Sequence, residues 1–303
     1  MKGQERLARL AWHGIAFDVP EDWCPGSLEG DSSNGYLRVE DETHVRMELR
    51  WETAGGRSVP VASRLVDAYL KQTCKKLPRG SPEATLDRGR AVKELAGTDH
   101  EAFTWRTGSF SAHSLLLVAE ESRRIIHLRV FFDDGSDHKA LARTIFGSLR
   151  VAPRDGMAEW AVFGLRFEAP SGWRLEQSAL RTGSLQFLFK AGNDELEVVR
   201  QSLAAMALGK ASLDQWVQRA FAKGLRGFRC TSRADSYRGH PAARCGGVLS
   251  LRARPLAVFR KRRYATALAW HCAEADKLFA VRSESERADD PRVERCADSI
   301  VCH

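Results

Sequence analysis

The chain repeats itself, and that constrains its fold more than any other feature. The segment Gly14-Ile15-Ala16-Phe17-Asp18-Val19-Pro20-Glu21-Asp22-Trp23 returns 150 positions later as Gly164-Leu165-Arg166-Phe167-Glu168-Ala169-Pro170-Ser171-Gly172-Trp173. Both copies read Gly, aliphatic, any residue, Phe, acid, aliphatic, Pro, any two, Trp. The pattern has a physical reading. A short strand buries Phe17 or Phe167, Pro20 or Pro170 ends it, and Trp23 or Trp173 folds back over the sheet. Two further anchors follow in the same order. The apolar runs 114–119 and 125–130 flank a polar turn, and 267–272 and 278–282 do the same 153 positions on. Finally Gly147-Ser148-Leu149 matches Asp298-Ser299-Ile300.

Between the anchors, alternation over 36–40 and 45–51 predicts half-buried strands, as it does over 185–189 and 196–199. A helix follows in each copy. Its apolar stripe is Leu65, Val66, Tyr69, Leu70 and Cys74 in the first. In the second it is Leu213, Trp216, Val217, Ala220 and Phe221, with Ser212 and Gln215 suited to a capping box. Each copy closes with another helix. Asp137 precedes Ala140, Leu141, Thr144 and Ile145, while Asp290 as N-cap and Pro291 at the first helical position precede Val293, Cys296 and Ala297. Residues 152–157, with a Pro and a Gly, read as a short linker between repeat 1 (1–151) and repeat 2 (158–303). Strands joined by short turns with helices laid on them predict the α+β class. The expectation is two tandem α/β sandwich domains, each a mainly antiparallel sheet packed with two helices.

The net charge of +8 is unevenly placed: residues 1–150 carry 22 basic and 22 acidic side chains, so the whole excess lies in 151–303. Copies of one unit that differ in charge are expected to differ in what their surfaces do. No apolar run is long enough to span a bilayer, and residues 1–13 lack the apolar core of a secretory signal. The expected location is therefore the cytoplasm. Seven cysteines without short paired spacings read as reduced thiols rather than a disulfide framework.

The order Phe-x-x-Pro-x-x-Trp, strands, amphipathic helix, hairpin, closing helix and terminal Ser-aliphatic resembles the PsbP-like fold. That group includes photosystem PsbP subunits, Ran-binding Mog proteins, DcrB lipoproteins and the Eag chaperones of type VI secretion. The resemblance covers nearly the whole chain, twice. It implies a non-enzymatic binding role, as a partner adaptor, assembly factor or effector chaperone, with no cofactor.

The most distinctive local feature is basic. From Arg219 to Arg263 there are thirteen Lys or Arg against one acid, Asp235, and the first copy has no counterpart. Arg252, Arg254, Arg260, Lys261, Arg262 and Arg263 are the expected partner-binding face, since arginine clusters capture carboxylates or phosphates in bidentate fashion. An acidic protein surface is the first expectation, or a hydrophobic partner helix seated in a groove built from some of the tryptophans. The alternative is a nucleic acid or anionic surface on the same face. For metal, His271, Cys272, Cys296, Cys302 and His303 come into view. No Cys or His pair has zinc-finger spacing, Cys272 matches Ala119, and Cys296 falls on a core stripe, so no metal site is expected. No nucleophile elbow, phosphate loop or His-Glu-x-x-His occurs, so no catalytic residue is expected. His100 and His240 align between the copies at a turn and read as structural.

Overall fold

Phe17 and Phe167 are both buried to 1% exposure or less, and the rest of each copy is arranged around them. The computed structural model describes residues 6–75, 85–107, 110–132, 138–153, 155–250 and 262–303. By contact the chain divides into two compact units, Met1–Gly164 and Leu165–His303.

The first unit opens with β1 (Leu7–Trp12), β2 (Ile15–Pro20), β3 (Cys24–Gly30), β4 (Asn34–Glu40) and β5 (Val45–Thr53). Helix α1 (Ala62–Cys74) and β6 (Thr85–Arg90) follow, then β7 (Asp99–Thr107), β8 (Phe110–Ala119) and β9 (Arg124–Phe131). Helix α2 (Lys139–Ser148), the short β10 (Arg150–Val151) and β11 (Met157–Val162) complete it. The second unit contains β12 (Leu165–Pro170), β13 (Arg174–Arg181), β14 (Ser184–Ala191), β15 (Asp194–Ser202), α3 (Ala204–Leu208) and α4 (Leu213–Ala220). It ends with β16 (Phe228–Tyr237), β17 (His240–Leu249), β18 (Tyr264–Cys272), β19 (Lys277–Ser285) and α5 (Pro291–Ser299).

Each unit holds one seven-stranded antiparallel sheet with the same strand order. It runs β3-β4-β5-β9-β8-β7-β6 in the first unit and β13-β14-β15-β19-β18-β17-β16 in the second. The expected hairpins sit at the centre, β8–β9 and β18–β19. Sheet faces are assigned by alternation. Ala267 and Ala269 of β18 and Leu278 and Ala280 of β19 pack under Trp216 and Val217 of α4 and Phe221 at its C-cap. The intervening Leu268, Trp270, Phe279 and Val281 are buried on the other face, the side taken by α5. Ser212 and Gln215 form the expected capping box, and the Asp290 carboxylate accepts from the Arg292 amide at 3.1 Å. Residue Asp137 lies outside the described residues.

Where one sheet per copy was expected, the first unit builds a second one. Strands β10-β2-β1-β11 form a small sheet, with β1 and β2 joined through His13 and Gly14, both at positive φ. Two consecutive positive φ values make the tight turn whose twist matches an antiparallel pair, and Gly14 adopts its φ of 76° without strain. Strand β11 gives its pairing to β1, so Trp160 packs edge-on to Trp12 at 5.0 Å and Glu159 bonds Arg9 at 3.0 Å. By contact, therefore, this strand belongs with the first unit, beyond the linker read from composition.

The structure also explains why the first and last anchors travel together. The Ser148 hydroxyl accepts from the Asp18 amide at 2.8 Å and donates to the Ile145 carbonyl at 2.7 Å. Ser299 does the same with the Glu168 amide at 2.8 Å and the Cys296 carbonyl at 2.6 Å. Each serine thus ties the end of the closing helix to the residue after the buried Phe. Ser148→Ala and Ser299→Ala are each expected to cost about 1 kcal/mol, more than a surface Ser→Ala, because an amide loses its acceptor. Urea unfolding of the single variants checks this.

Candidate functional site

Of the six residues expected to form the basic face, Arg252, Arg254, Arg260 and Lys261 lie outside the described residues. Arg262 is exposed. Arg263 is turned inward: its guanidinium bonds Asp194 at 2.7 Å and the Glu284 carbonyl at 3.1 Å, with the Glu284 carboxylate at 3.4 Å. Its side chain is 12% exposed, and it locks the start of β18 to β15 and β19. Two other members of the basic run are also engaged. Arg244 pairs with Asp235 and Glu294, and Arg238 bonds the Ile300 carbonyl at 3.0 Å.

The remaining cations cluster elsewhere. Arg219 on α4, Lys223 and Arg226 in the turn after it, and Arg229 and Arg233 on β16 are all exposed. None of them forms an ion pair with a described residue. Strand β16 is the edge of its sheet and pairs with β17 over ten residues without a register shift. One side of such a strand presents unpaired backbone donors and acceptors to solvent. The equivalent edge in the first unit is β6, which is shorter and irregular, with a register shift between Asp87 and Arg90. Its arginines are neutralised. Arg88 pairs with Asp67 and Glu101, and Arg90 with Asp87. Among the described residues, the two copies therefore differ in exposed charge along this sheet edge.

A second cluster lies at the opposite end of the same hairpin. His240 opens β17, Cys272 closes β18, and Cys302 and His303 follow α5. One ligand atom from each of the four lies within 4.8 Å of the others. His303 Nδ1 is 3.3 Å from Cys272 Sγ and 3.4 Å from Cys302 Sγ, and His240 Nε2 is 3.6 Å from Cys302 Sγ. Burial holds the His240 imidazole below its ordinary pKa, helped by His303 and Arg238. Burial also raises the Cys302 thiol, with Cys272 beside it. Sequence reasoning set metal aside for want of a close Cys or His pair, but strand register supplies the closeness that spacing did not. It assembles Cys272, Cys302 and His303 with His240, while Cys296 stays on the inner stripe of α5, fully buried, as expected.

His100 shows what the same turn does without the cluster. Its Nδ1 lies 2.8 Å from the Thr98 carbonyl, and its Nε2 accepts from the Val92 amide at 2.9 Å. That is the structural role read from the sequence; at the matching turn, His240 Nε2 lies 3.6 Å from Cys302 Sγ. The signal was available, because Ala119, Val151 and Ala152 of the first copy stand where the second has Cys272, Cys302 and His303.

No family model and no curated protein matches the chain. Solved structures do. The solution structure of cyanobacterial PsbP from Synechocystis is 17% identical over 50% of this chain and 95% of that one, with a TM-score of 0.35. The chain is similar in fold to PsbP. It is also similar to TplEi, an immunity protein of the type VI secretion system of Pseudomonas aeruginosa solved with a peptide. That match is 8% identical over 100% of this chain and 99% of that chain, with a TM-score of 0.32. A chain of the Tle4–Tli4 complex matches at 10% identity over 98% of this chain and 97% of that one, TM-score 0.33.

Every tryptophan of the first unit is buried, Trp12, Trp23 and Trp105 among them. Trp51 lines a groove of about 550 Å³ with Tyr36, Leu65, Tyr69 and Ile125 between α1 and the β4–β5 strands. In the second unit, Trp173 is half-buried beneath the Arg292 guanidinium, 4.6 Å from its ring centre. Among the described residues no helix is long and apolar enough to cross a membrane.

Proposed function

We propose that the chain is a non-enzymatic, cytoplasmic protein-binding adaptor whose second unit takes an acidic, extended segment of a partner along β16. One observation carries this reading: a ten-residue regular edge strand flanked by five exposed cations, none in a close ion pair with a described acid, Asp235 acting on Arg233 only through its field. An extended segment adding to that edge gains main-chain hydrogen bonds, and its carboxylates meet arginines on either side. Long-range attraction to the same patch speeds encounter. The seven cysteines are free thiols, which suits a reducing compartment.

The test is capture from nuclease-treated host lysate by full-length protein, comparing wild type with the triple variant R226E/R229E/R233E. One protein should be retained by wild type, with affinity falling about tenfold or more in the variant. Equal retention by both chains sinks the proposal. Loss of all binding on nuclease treatment sinks it too and moves the patch to nucleic acid, whose binding falls steeply with salt. Circular dichroism confirms that the variant, changed only at exposed positions, remains folded.

A further inference from the structure

We infer that His240, Cys272, Cys302 and His303 form a tetrahedral Cys2His2 site for a zinc ion. This goes beyond the adaptor reading and is independent of it.

The spacing fits the metal. Tetrahedral zinc, with Zn–S of about 2.3 Å and Zn–N of about 2.0–2.1 Å, sets its sulfur and nitrogen ligands roughly 3.6 Å apart. Three of the four sulfur–nitrogen separations are 3.3, 3.4 and 3.6 Å, and all four ligand atoms lie within 4.8 Å of one another. His303 Nε2 faces the Glu274 carboxylate at 3.3 Å, while its Nδ1 is turned to Cys272 and Cys302. Two thiolates and two neutral imidazoles are the donor set of a closed tetrahedral zinc site. The carboxylate behind His303 is the orienting partner that metal-bound histidines ordinarily have.

The framework is fixed before any ion arrives. The register of β17 and β18 pairs Ala242 with Trp270, so two residues further out His240 and Cys272 stand opposite each other. The last residues are held against them by Arg238, which bonds the Asp298 carbonyl at 3.4 Å and the Ile300 carbonyl at 3.0 Å. Asp298 also receives the Tyr237 hydroxyl at 2.5 Å. Cys272 and Cys302 are 0% and 7% exposed. With four protein ligands the site has no open position, so its role is structural: it clamps the segment after α5 onto the β17–β18 hairpin. Binding releases the two thiol protons, and the site is neutral when filled.

The test uses untagged full-length protein, reduced, with Zn²⁺ and Co²⁺ as probes. One equivalent of zinc should survive dialysis, and Co²⁺ should give the visible absorption of a tetrahedral ion with thiolate-to-metal charge transfer. Cys302→Ser should weaken zinc binding at least 100-fold, and Glu274→Gln about 10-fold, the size expected of an orienting group. His303→Ala, at a 43% exposed side chain, tests the site without threatening the core and should also abolish the cobalt spectrum. Cys24→Ser, at an exposed thiol elsewhere, should change nothing. Zinc content unaltered by Cys302→Ser and His303→Ala overturns the assignment. So does an octahedral cobalt spectrum, or a Cys272–Cys302 disulfide in the protein as isolated with no bound metal.

Discussion

Replacing Arg282 with methionine is expected to destabilise the second unit by about 3–5 kcal/mol at neutral pH, since it strands buried carboxylates without their cation. Arg282 is 1% exposed under the end of the α4 region. Its guanidinium bonds Glu197 at 2.9 Å, Glu195 at 2.6 Å and the Gly224 carbonyl at 3.0 Å. Burial alone would push the Glu195 carboxyl up, but hydrogen bonds from Arg282 and Lys190 hold it below its ordinary value. In the variant the Arg282 bonds are gone. Burial then raises the Glu195 carboxyl, with only Lys190 left to oppose it. A carboxyl whose folded pKa is raised contributes stability below its unfolded pKa and loses it as pH rises through the folded one. The deficit of Arg282→Met should therefore shrink in acid, and the triple variant E195Q/E197Q/R282M should recover most of it. Gly224→Ala should approach the single variant in cost, since a Cβ there would lie 2.3 Å from the Arg282 guanidinium carbon. Hydrogen exchange of β18 and β19 peptides isolates the second unit. A deficit independent of pH, or no rescue by the triple variant, would show that the buried ion cluster is not the cause.

The second large effect is acid loss of the first unit. His13 lies among Trp12, Trp51 and Trp160, and burial with the nearby Arg124 lowers its pKa to about 4. His127 packs against Tyr69 at 4.6 Å and stacks on Phe103, and burial with Arg129 and Arg50 lowers it to about 3. Neither Nε2 atom has a hydrogen-bond partner among the described residues. For a histidine with a depressed folded pKa, the unfolded chain takes the proton first. Stability is then complete above pH 6.5 and falls as pH drops from 6.5 towards the folded values. His13 alone, at 1.36 kcal/mol per pKa unit, accounts for roughly 3 kcal/mol lost between pH 6.5 and 4. Measured by Trp fluorescence in urea, the double variant H13F/H127F should flatten that limb while the Arg282 cluster keeps its own profile. An unchanged acid slope in the double variant would remove these two histidines as its source.

The cluster around Arg282 also shows how far reading along the chain reaches. Arg129 and Arg282 stand at matched positions near the end of the apolar runs in the two copies, and Glu48 and Glu197 stand at matched strand positions. Only pairing shows that they meet, with Glu48 opposite Arg129 and Glu197 opposite Arg282. A charged residue at the end of an apolar run looks solvent-facing from the sequence. Burial of both sheet faces makes it an internal ion pair instead.

The sequence by itself determined the recurrence of one α+β unit, the central hairpins, the amphipathic helices with their caps, and the charge excess of the second half. These are local or periodic: a stripe at 3.6 residues, an alternation of two, a motif returning at a fixed offset. The tertiary structure alone decided the second sheet of the first unit, the inward turn of Arg263, and the basic edge at β16. It also decided the meeting of His240, Cys272, Cys302 and His303. Each depends on which strands become neighbours and at what register. Residues thirty positions apart become contacts only when two strands and a helix end close on one point, and spacing along a chain carries no record of that closure.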